Sequence, residues 1–343
     1  MIMPFAQKPM QKSNRIVAVA SLLFALFLRL PAETDRIRFD NVSLKEGLSQ
    51  SIVSCIIQDR NGFMWFATEN GLNRFDGYSF TVFRHILDNA HSLNQNEILT
   101  IFEDRSGMLW IGTFNGGLNK VNPRSGAVQC YKKITGQPDS LSDNIVRAIC
   151  EDQAGSLWIG TNNGLNKFDR ESGRFTIYQN QPGQTGSLSG SQVNALLADR
   201  SGRLWIGTAS GLNRFDRQTG RFTCWQNRPE EPDSLSSDQV LAIHEDRNGT
   251  LWVGTANGLN QFDRLSGRFT RYHNQPGTTP GLIHNRVNAI CEDHAGMLWI
   301  GTENGLNRFD RKNRQFVAYQ NDPLDPGSLS RNEVRSLYED RSG

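Results

Sequence analysis

The sequence predicts an all-β chain, a β-propeller of four-stranded antiparallel blades with six complete blades and a truncated seventh. Three observations predict it. Six tryptophans (Trp65, Trp110, Trp158, Trp205, Trp252 and Trp299) recur with a period of about 47 residues, a length that one propeller blade can occupy. Asp59, Asp104, Asp152, Asp199, Asp246, Asp293 and Asp340 head seven copies of one unit, and a leucine, as at Leu48 or Leu188, precedes each at a fixed distance. Outside positions 1–36 no stretch keeps a helical apolar period. Self-similarity at this period decides the architecture before anything else. Four short strands per repeat give a propeller, for which roughly 4–8 blades are usual. A solenoid is the alternative, but its repeats are commonly shorter, or helical at this length.

The N-terminus reads as an address. Lys8, Lys12 and Arg15 precede the apolar run from Ile16 to Leu28, followed by Pro31 and Ala32. The run is too short for a bilayer-spanning helix of about 20 residues. Residues 1–32 are therefore expected to be a secretory signal peptide or an N-terminal membrane segment. Residues 33–343 form the expected propeller domain, C-terminally incomplete.

The unit is clearest at Asp199 to Phe222, DRSGRLWIGTASGLNRFDRQTGRF. Its first strand runs from a β-branched residue to the Asp, as in VNALLAD. Val193, Ala195 and Leu197 are expected on one face and Leu196 on the other. The second strand is LWIGT, the third GLNRFD, the fourth RFTIYQ or its equivalents. Asp-Arg-Ser-Gly joins the first two, the Asp accepting backbone N–H groups and the Gly supplying positive φ. Asn-Gly, as at Asn70-Gly71, reads as a type I′ hairpin between the second and third. The small residue at Ala195 and its equivalents (Cys55, Thr100, Ala148, Ala242, Ala289, Ser336) suits innermost strands converging on an axis. The periodic Trp is expected to pack between blades.

Charge and cysteine content narrow the function. Lys+Arg and Asp+Glu total 37 and 35, a net +2, which argues against a polyanion binder. The repeated Asp-Arg turns suggest that these charges cancel in place. Five Cys do not make a disulfide scaffold. Cys130 and Cys224, on outer strands, and Cys150 and Cys291, on inner strands, fall on separate blades, so free, buried thiols are expected.

The unit D-R-x-G-x-L-W-I-G-T-x-x-G-L-N-R-F-D closely resembles the two-component regulator propeller repeat. The resemblance runs from about Ile37 to Gly343. It implies a non-catalytic, periplasmic ligand-binding region of a membrane-tethered, often hybrid, histidine kinase. In relatives a seven-bladed propeller precedes a β-sandwich, a transmembrane helix and kinase modules, and glycan fragments are a frequent ligand. The sequence departs from that pattern in stopping at Asp340-Arg-Ser-Gly343, ahead of the Trp that the repeat would place next. This reads as a fragment of a longer product, with a truncated relative as the alternative. Ile37–Val42 aligns with the fourth strand, so an open or poorly closed ring with exposed edges is expected. The second copy carries an extra Gly (Gly116-Gly117) and Val121-Asn122 for Phe-Asp, read as a local bulge.

Ligand specificity must sit where the repeats differ. One set precedes and opens the first strand and supplies Arg147, Asn194, Asn288, Arg335, Gln192, Gln239 and Arg286. The other follows Gly-Thr and includes Glu69, Phe114, Asn162 and Glu303. Arg147, Asn194, Asn288 and Arg335 share one repeat position, so the repeat should bring them to one rim. Arg, Asn and Gln with an aromatic such as Phe114 can grip a sugar or carboxylate. The expected partner is a small extracellular ligand, with an oligosaccharide as one candidate. Nucleic acid is not expected, nor is any cofactor. Contact with membrane is expected only through the N-terminal segment or parts beyond residue 343. No metal site is expected. His244 replaces Leu197 at a strand position, His273, His284 and His294 complete no zinc pattern, and the Asp-Arg turns offer one carboxylate where calcium needs several. The alternatives are a propeller enzyme of lactonase or streptogramin-lyase type, which needs converging His and Glu, and a platform for protein partners.

Overall fold

The computed structural model describes residues 37–89, 91–274 and 281–343; residues 1–36, with the expected signal segment, lie outside the described residues. The chain divides at Phe39, and the unit Asp40–Gly343 carries the sheets. No helix among the described residues is long and apolar enough to cross a membrane. The one helical element among them is a single 3₁₀ turn, Leu44–Glu46, capped by Ser43.

Six four-stranded sheets follow one another, each antiparallel with its strands in chain order. They span 53–83, 98–131, 146–178, 193–225, 240–272 and 287–319, numbered here as blades 1 to 6. Blade 4 is representative: Val193–Ala198, Leu204–Thr208, Gly211–Phe215 and Phe222–Trp225. Each first strand contacts the first strand of the next blade. This places the first strands innermost, around a common axis, as the small residues at Ala195 and its equivalents predict.

The hydrophobic core is a series of seams between blades. Trp205 is buried. Its ring meets Phe262 of blade 5 edge-on at 5.4 Å and Trp225 of its own blade at 5.6 Å. Trp110–Phe168, Trp158–Phe215 and Trp252–Phe309 repeat the contact at 5.2, 5.2 and 5.9 Å. Rings this enclosed have no face left for a ligand. Each supplies large apolar burial to a seam that single blades could not close.

The second-strand glycine sets how closely the seams approach. A Cβ on Gly207 would stand 2.5 Å from Val240 Cγ1 of blade 5, and Gly160 and Gly254 meet Val193 and Val287 in the same way. Blade 1 has the slightly larger Ala67 at this position. Gly207→Ala is therefore expected to cost about 1–3 kcal/mol by overpacking. Chemical denaturation would check it. Combined with Val240→Ala it should cost less than the two single changes added together.

Three local expectations need correction. The first strand does not alternate cleanly. In blade 4 the register shifts between Val193 and Ala195, so Asn194 is an extra, unpaired residue. Val193 and Leu196 therefore join the seam with Trp158 of blade 3, while Leu197 joins the opposite seam with Trp205 and Val240. The Asn-Gly turn is not type I′. Thr68 pairs with Gly71, so the loop is Glu69-Asn70, and neither residue has positive φ. Thr68 Oγ1 accepts the Asn70 N–H at 3.2 Å and donates to the Gly71 carbonyl at 2.8 Å. Gly71 opens the next strand at φ +117°, where a Cβ would meet the Phe83 carbonyl at 2.8 Å. In blade 2 the additional Gly produces no bulge between the second and third strands, which pair in register from Leu109↔Val121 to Gly112↔Leu118. The extra residue lengthens the turn, with Asn115 at φ +67°.

The Asp-Arg-x-Gly turns form as expected. Asp199 Oδ1 accepts the N–H groups of Ser201 and Arg203 at 3.0 and 2.8 Å, and Gly202 has φ +80°. The charges do not cancel in place. Asp199 is buried, and its Oδ2 accepts Trp205 Nε1–H at 2.8 Å and Arg264 Nη1 of blade 5 at 2.5 Å. Its neighbour Arg200 instead donates to the Arg247 carbonyl at 2.8 Å. Arg170–Asp104, Arg217–Asp152 and Arg311–Asp246 repeat the cross-blade pair. In blade 2 Pro123 occupies the arginine position, so among the described residues Asp59 keeps only its N–H donors, Asn61, Phe63 and Trp65. There Arg60 turns onto Glu103 at 2.8 Å.

Residues 334–340 form no strand, and neither do residues 37–42. Residues 329–343 nevertheless run from blade 6 to blade 1. Val334 N–H donates to the Thr302 carbonyl at 2.9 Å, and Val334 meets Gly301 as Val240 meets Gly207. Arg341 donates to the carbonyls of Asp59 and Arg60 at 2.9 and 3.1 Å. The inner position between blades 6 and 1 is thus occupied rather than open.

Candidate rim site

The register shift seen at Asn194 recurs in every blade, at Ser54, Leu99, Arg147, Asn194, Leu241 and Asn288. A bulge bends its strand and re-aims the unpaired residue's side chain, which is why bulges gather beside binding sites. The shared repeat position of Arg147, Asn194 and Asn288 is therefore the bulge itself. Arg335 occupies the corresponding position of the 329–343 segment, without a strand.

The two variable sets also meet. The carbonyl of the residue before each first strand accepts the N–H of the residue after Gly-Thr. The pairs are Glu97 with Phe114, Ile145 with Asn162, Gln192 with Ala209, Gln239 with Ala256, and Arg286 with Glu303, at 2.9 to 3.2 Å. One ring of backbone bonds thus joins the start of the innermost strand to the turn beside it in five blades.

The side chains divide by partner. Asn194 Nδ2 donates to the Val240 carbonyl of blade 5 at 3.0 Å, and its Oδ1 accepts Gln192 Nε2 at 3.0 Å. Asn288 Nδ2 donates to the Val334 carbonyl at 3.3 Å. These two carboxamides stitch one bulge to the next. Arg335 pairs with Glu333 at 2.7 Å and Glu69 at 3.5 Å, and the Glu333 hydrogen bond helps push its pKa up. Arg286 lies 4.0 Å from Glu303. Arg147 donates through Nε to Asn162 Oδ1 at 2.5 Å. Burial pushes the Arg147 pKa down, opposed by the charge of Asp143. Gln239 uses its backbone N–H on Ser237 Oγ at 3.3 Å. Phe114 is exposed on the lengthened turn. The pairings of Arg335 with Glu69 and Arg286 with Glu303 were not readable from either set alone, since each set gives a position and not a partner.

One of the described cavities reaches the rim residues. A cavity of 410 Å³ lies at the outer edge between blades 4 and 5, beside Trp225, Arg268 and Asp233. Its charges are matched internally, Arg268 with Asp233 and Arg228 with Glu231. A 210 Å³ cavity lies between the 329–336 stretch, where the rim residues Glu333 and Arg335 line it, and Ser51, Val53 and Ile56. Among the described residues no group of three His, Cys, Asp or Glu could hold a metal. His284 Nδ1 accepts the Arg286 N–H at 3.1 Å, and His294 pairs with Glu339 at 2.8 Å. His244 is largely enclosed in the blade, and burial pushes its pKa down. All five cysteines are free, as expected, but they are not all buried: only Cys150 is, and Cys224 on its outer strand is exposed.

A model of the two component regulator propeller family matches residues 47–70, 92–115, 140–163, 187–210, 234–257 and 281–304. Histidine kinase P4 of Formosa agariphila is 35% identical over 82 residues, 23% of this chain and 6% of that protein. The extracellular domain of a B. thetaiotaomicron protein described as a putative hybrid two component system superposes with a TM-score of 0.77 at 27% identity. That match covers 89% of this chain and 39% of the other, so the chain spans well under half of the relatives it matches. A virginiamycin B lyase from Staphylococcus aureus gives a TM-score of 0.58 at 17% identity, over 78% of this chain and 84% of that one, a likeness of fold alone.

Proposed function

Six repeats of this chain belong to the two component regulator propeller family, and on that premise we propose that it is the extracytoplasmic ligand-binding domain of a two-component sensor. In this reading it is non-catalytic itself and takes an oligosaccharide or similar small ligand at the rim. The carrying observation is the bulge repeated in all six blades. The framework holds the backbone constant, while the side chain aimed from the bulge changes from Leu to Arg to Asn. A surface built that way recognises something asymmetric. Likeness to an extracellular domain of a two component system supports the same reading. Lyase chemistry is less well supported, because the rim side chains are mainly guanidinium and carboxamide donors.

The rest of the reading follows from it. Residues 1–32 export the chain to the periplasm, and the full-length protein is tethered to the inner membrane and passes its signal to kinase modules. Residues 329–343, which form no strand by themselves, would become the first strand of a seventh blade in the full-length protein.

The test is titration calorimetry and thermal shift of the purified chain against a panel of oligosaccharides. Saturable one-to-one binding is expected, with a stabilisation of about 2.7 kcal/mol at a hundredfold excess over Kd. Substituting Gln192 and Asn194 with Ala should weaken it. Metal-dependent turnover without saturable binding would instead support the lyase class.

A further inference from the structure

Three guanidinium groups stand at the rim positions, and they are not equivalent. Arg335 faces two carboxylates, and Arg286 faces one. Arg147 makes no ion pair among the described residues. Its one side-chain hydrogen bond among them runs from Nε to a neutral oxygen, Asn162 Oδ1. That bond fixes the plane of the guanidinium through its inner nitrogen and leaves Nη1 and Nη2, the outer fork, without partners among the described residues. The group is half-buried, so part of its hydration is already lost. The bulge between Val146 and Ala148 turns it out of the ladder.

We propose that Arg147, positioned by Asn162, is a subsite for a carboxylate on the ligand, so that the sensed molecule is acidic. This rests on the sensor reading above. A planar fork with two free donors matches the two oxygens of a carboxylate. Asn162 Nδ2 lies on the same side chain that holds Arg147 and offers a further donor. Phe114 occupies the repeat position of Asn162 one blade earlier and presents an exposed ring to the remainder of the ligand. Asp143 stands nearby without pairing with Arg147: its Oδ1 accepts the Ile145 N–H at 2.8 Å, and its charge opposes an incoming anion, so the contact with the guanidinium fork must outweigh it.

The experiment titrates the whole chain with matched pairs of oligosaccharides, galacturonate oligomers against galactose oligomers of equal length. The uronates are expected to bind, and Arg147→Gln should weaken them roughly 10- to 100-fold, the range for a lost charge-assisted pair. Arg147→Lys keeps the charge but not the fork and should recover only part of that loss. The melting temperature of each unliganded variant checks that the fold persists. Uronate binding unchanged by Arg147→Gln overturns the carboxylate subsite and leaves the sensor reading standing. The same holds for preferential binding of the neutral partner. Binding of neither set overturns both.

Discussion

Asp199→Asn is expected to cost about 3–5 kcal/mol of stability, among the largest losses for so small a change in shape. The carboxylate is buried. It holds two backbone N–H groups through Oδ1, and Trp205 Nε1–H and Arg264 through Oδ2. Asn can keep the first pair with its remaining oxygen. Its amide then points N–H groups at the indole N–H and at the guanidinium, so donors face donors. Arg264, mostly covered, is left with Glu245 at 2.8 Å as its charge partner. One substitution thus damages a turn, a tryptophan anchor and a cross-blade ion pair. Thermal or urea unfolding should show a drop of roughly 5–15 °C or the equivalent shift in midpoint. Adding Arg264→Met should cost much less than its effect in the native background. A loss below about 1 kcal/mol for Asp199→Asn would mean that the network only decorates a seam held by Trp205 and Phe262.

That network also marks where reading the sequence succeeds and where it stops. The period of Asp and Trp reports the blades, because every blade solves the same local problem with the same turn and ring. The four strands follow from patterning within a single repeat. The partner of Asp199 does not, because Arg264 lies in the next blade, with |i−j| = 65. The adjacent Arg200 offers a nearer and wrong answer. The bulge is hidden for a related reason: Val-Asn-Ala looks like plain alternation, and only pairing with Thr208 and Gly207 reveals the extra residue. Repeat position alone was enough to group Arg147, Asn194 and Asn288, which the structure places on the bulges. Their chemistry was not legible, because Arg147 and Arg335 differ through what stands opposite. Asn162 lies in the same blade as Arg147, while Glu69 reaches Arg335 from the far end of the chain.

The same carboxylates make the fold acid-labile. Burial alone would raise the pKa of Asp104, but hydrogen bonds from Ser106, Trp110, Arg170 and Met108 outweigh it and hold the group at about 2, against 3.8 unperturbed. Asp199 and Asp246 move in the same direction against the same burial, through their Trp, Arg and turn partners. A depressed carboxyl takes up its proton more readily in the unfolded chain. Its contribution is therefore complete above about pH 4 and disappears as pH falls from about 4 to 2. For Asp104 the difference is on the order of 2 kcal/mol. His244 and His273 add a separate, earlier loss. Burial depresses both below 6.5, so stability begins to decline as pH drops through that value. The melting temperature should then fall in two stages, a shallow one below about 6.5 and a steep one below about 4. Asp104→Asn should start lower and lose less in the second stage, because one titrating group has been removed. A variant that keeps the full steep stage would show that other carboxylates, such as the exposed turn residues Asp169, Asp216 and Asp263, whose pKa values backbone and side-chain hydrogen bonds also lower, control acid unfolding instead.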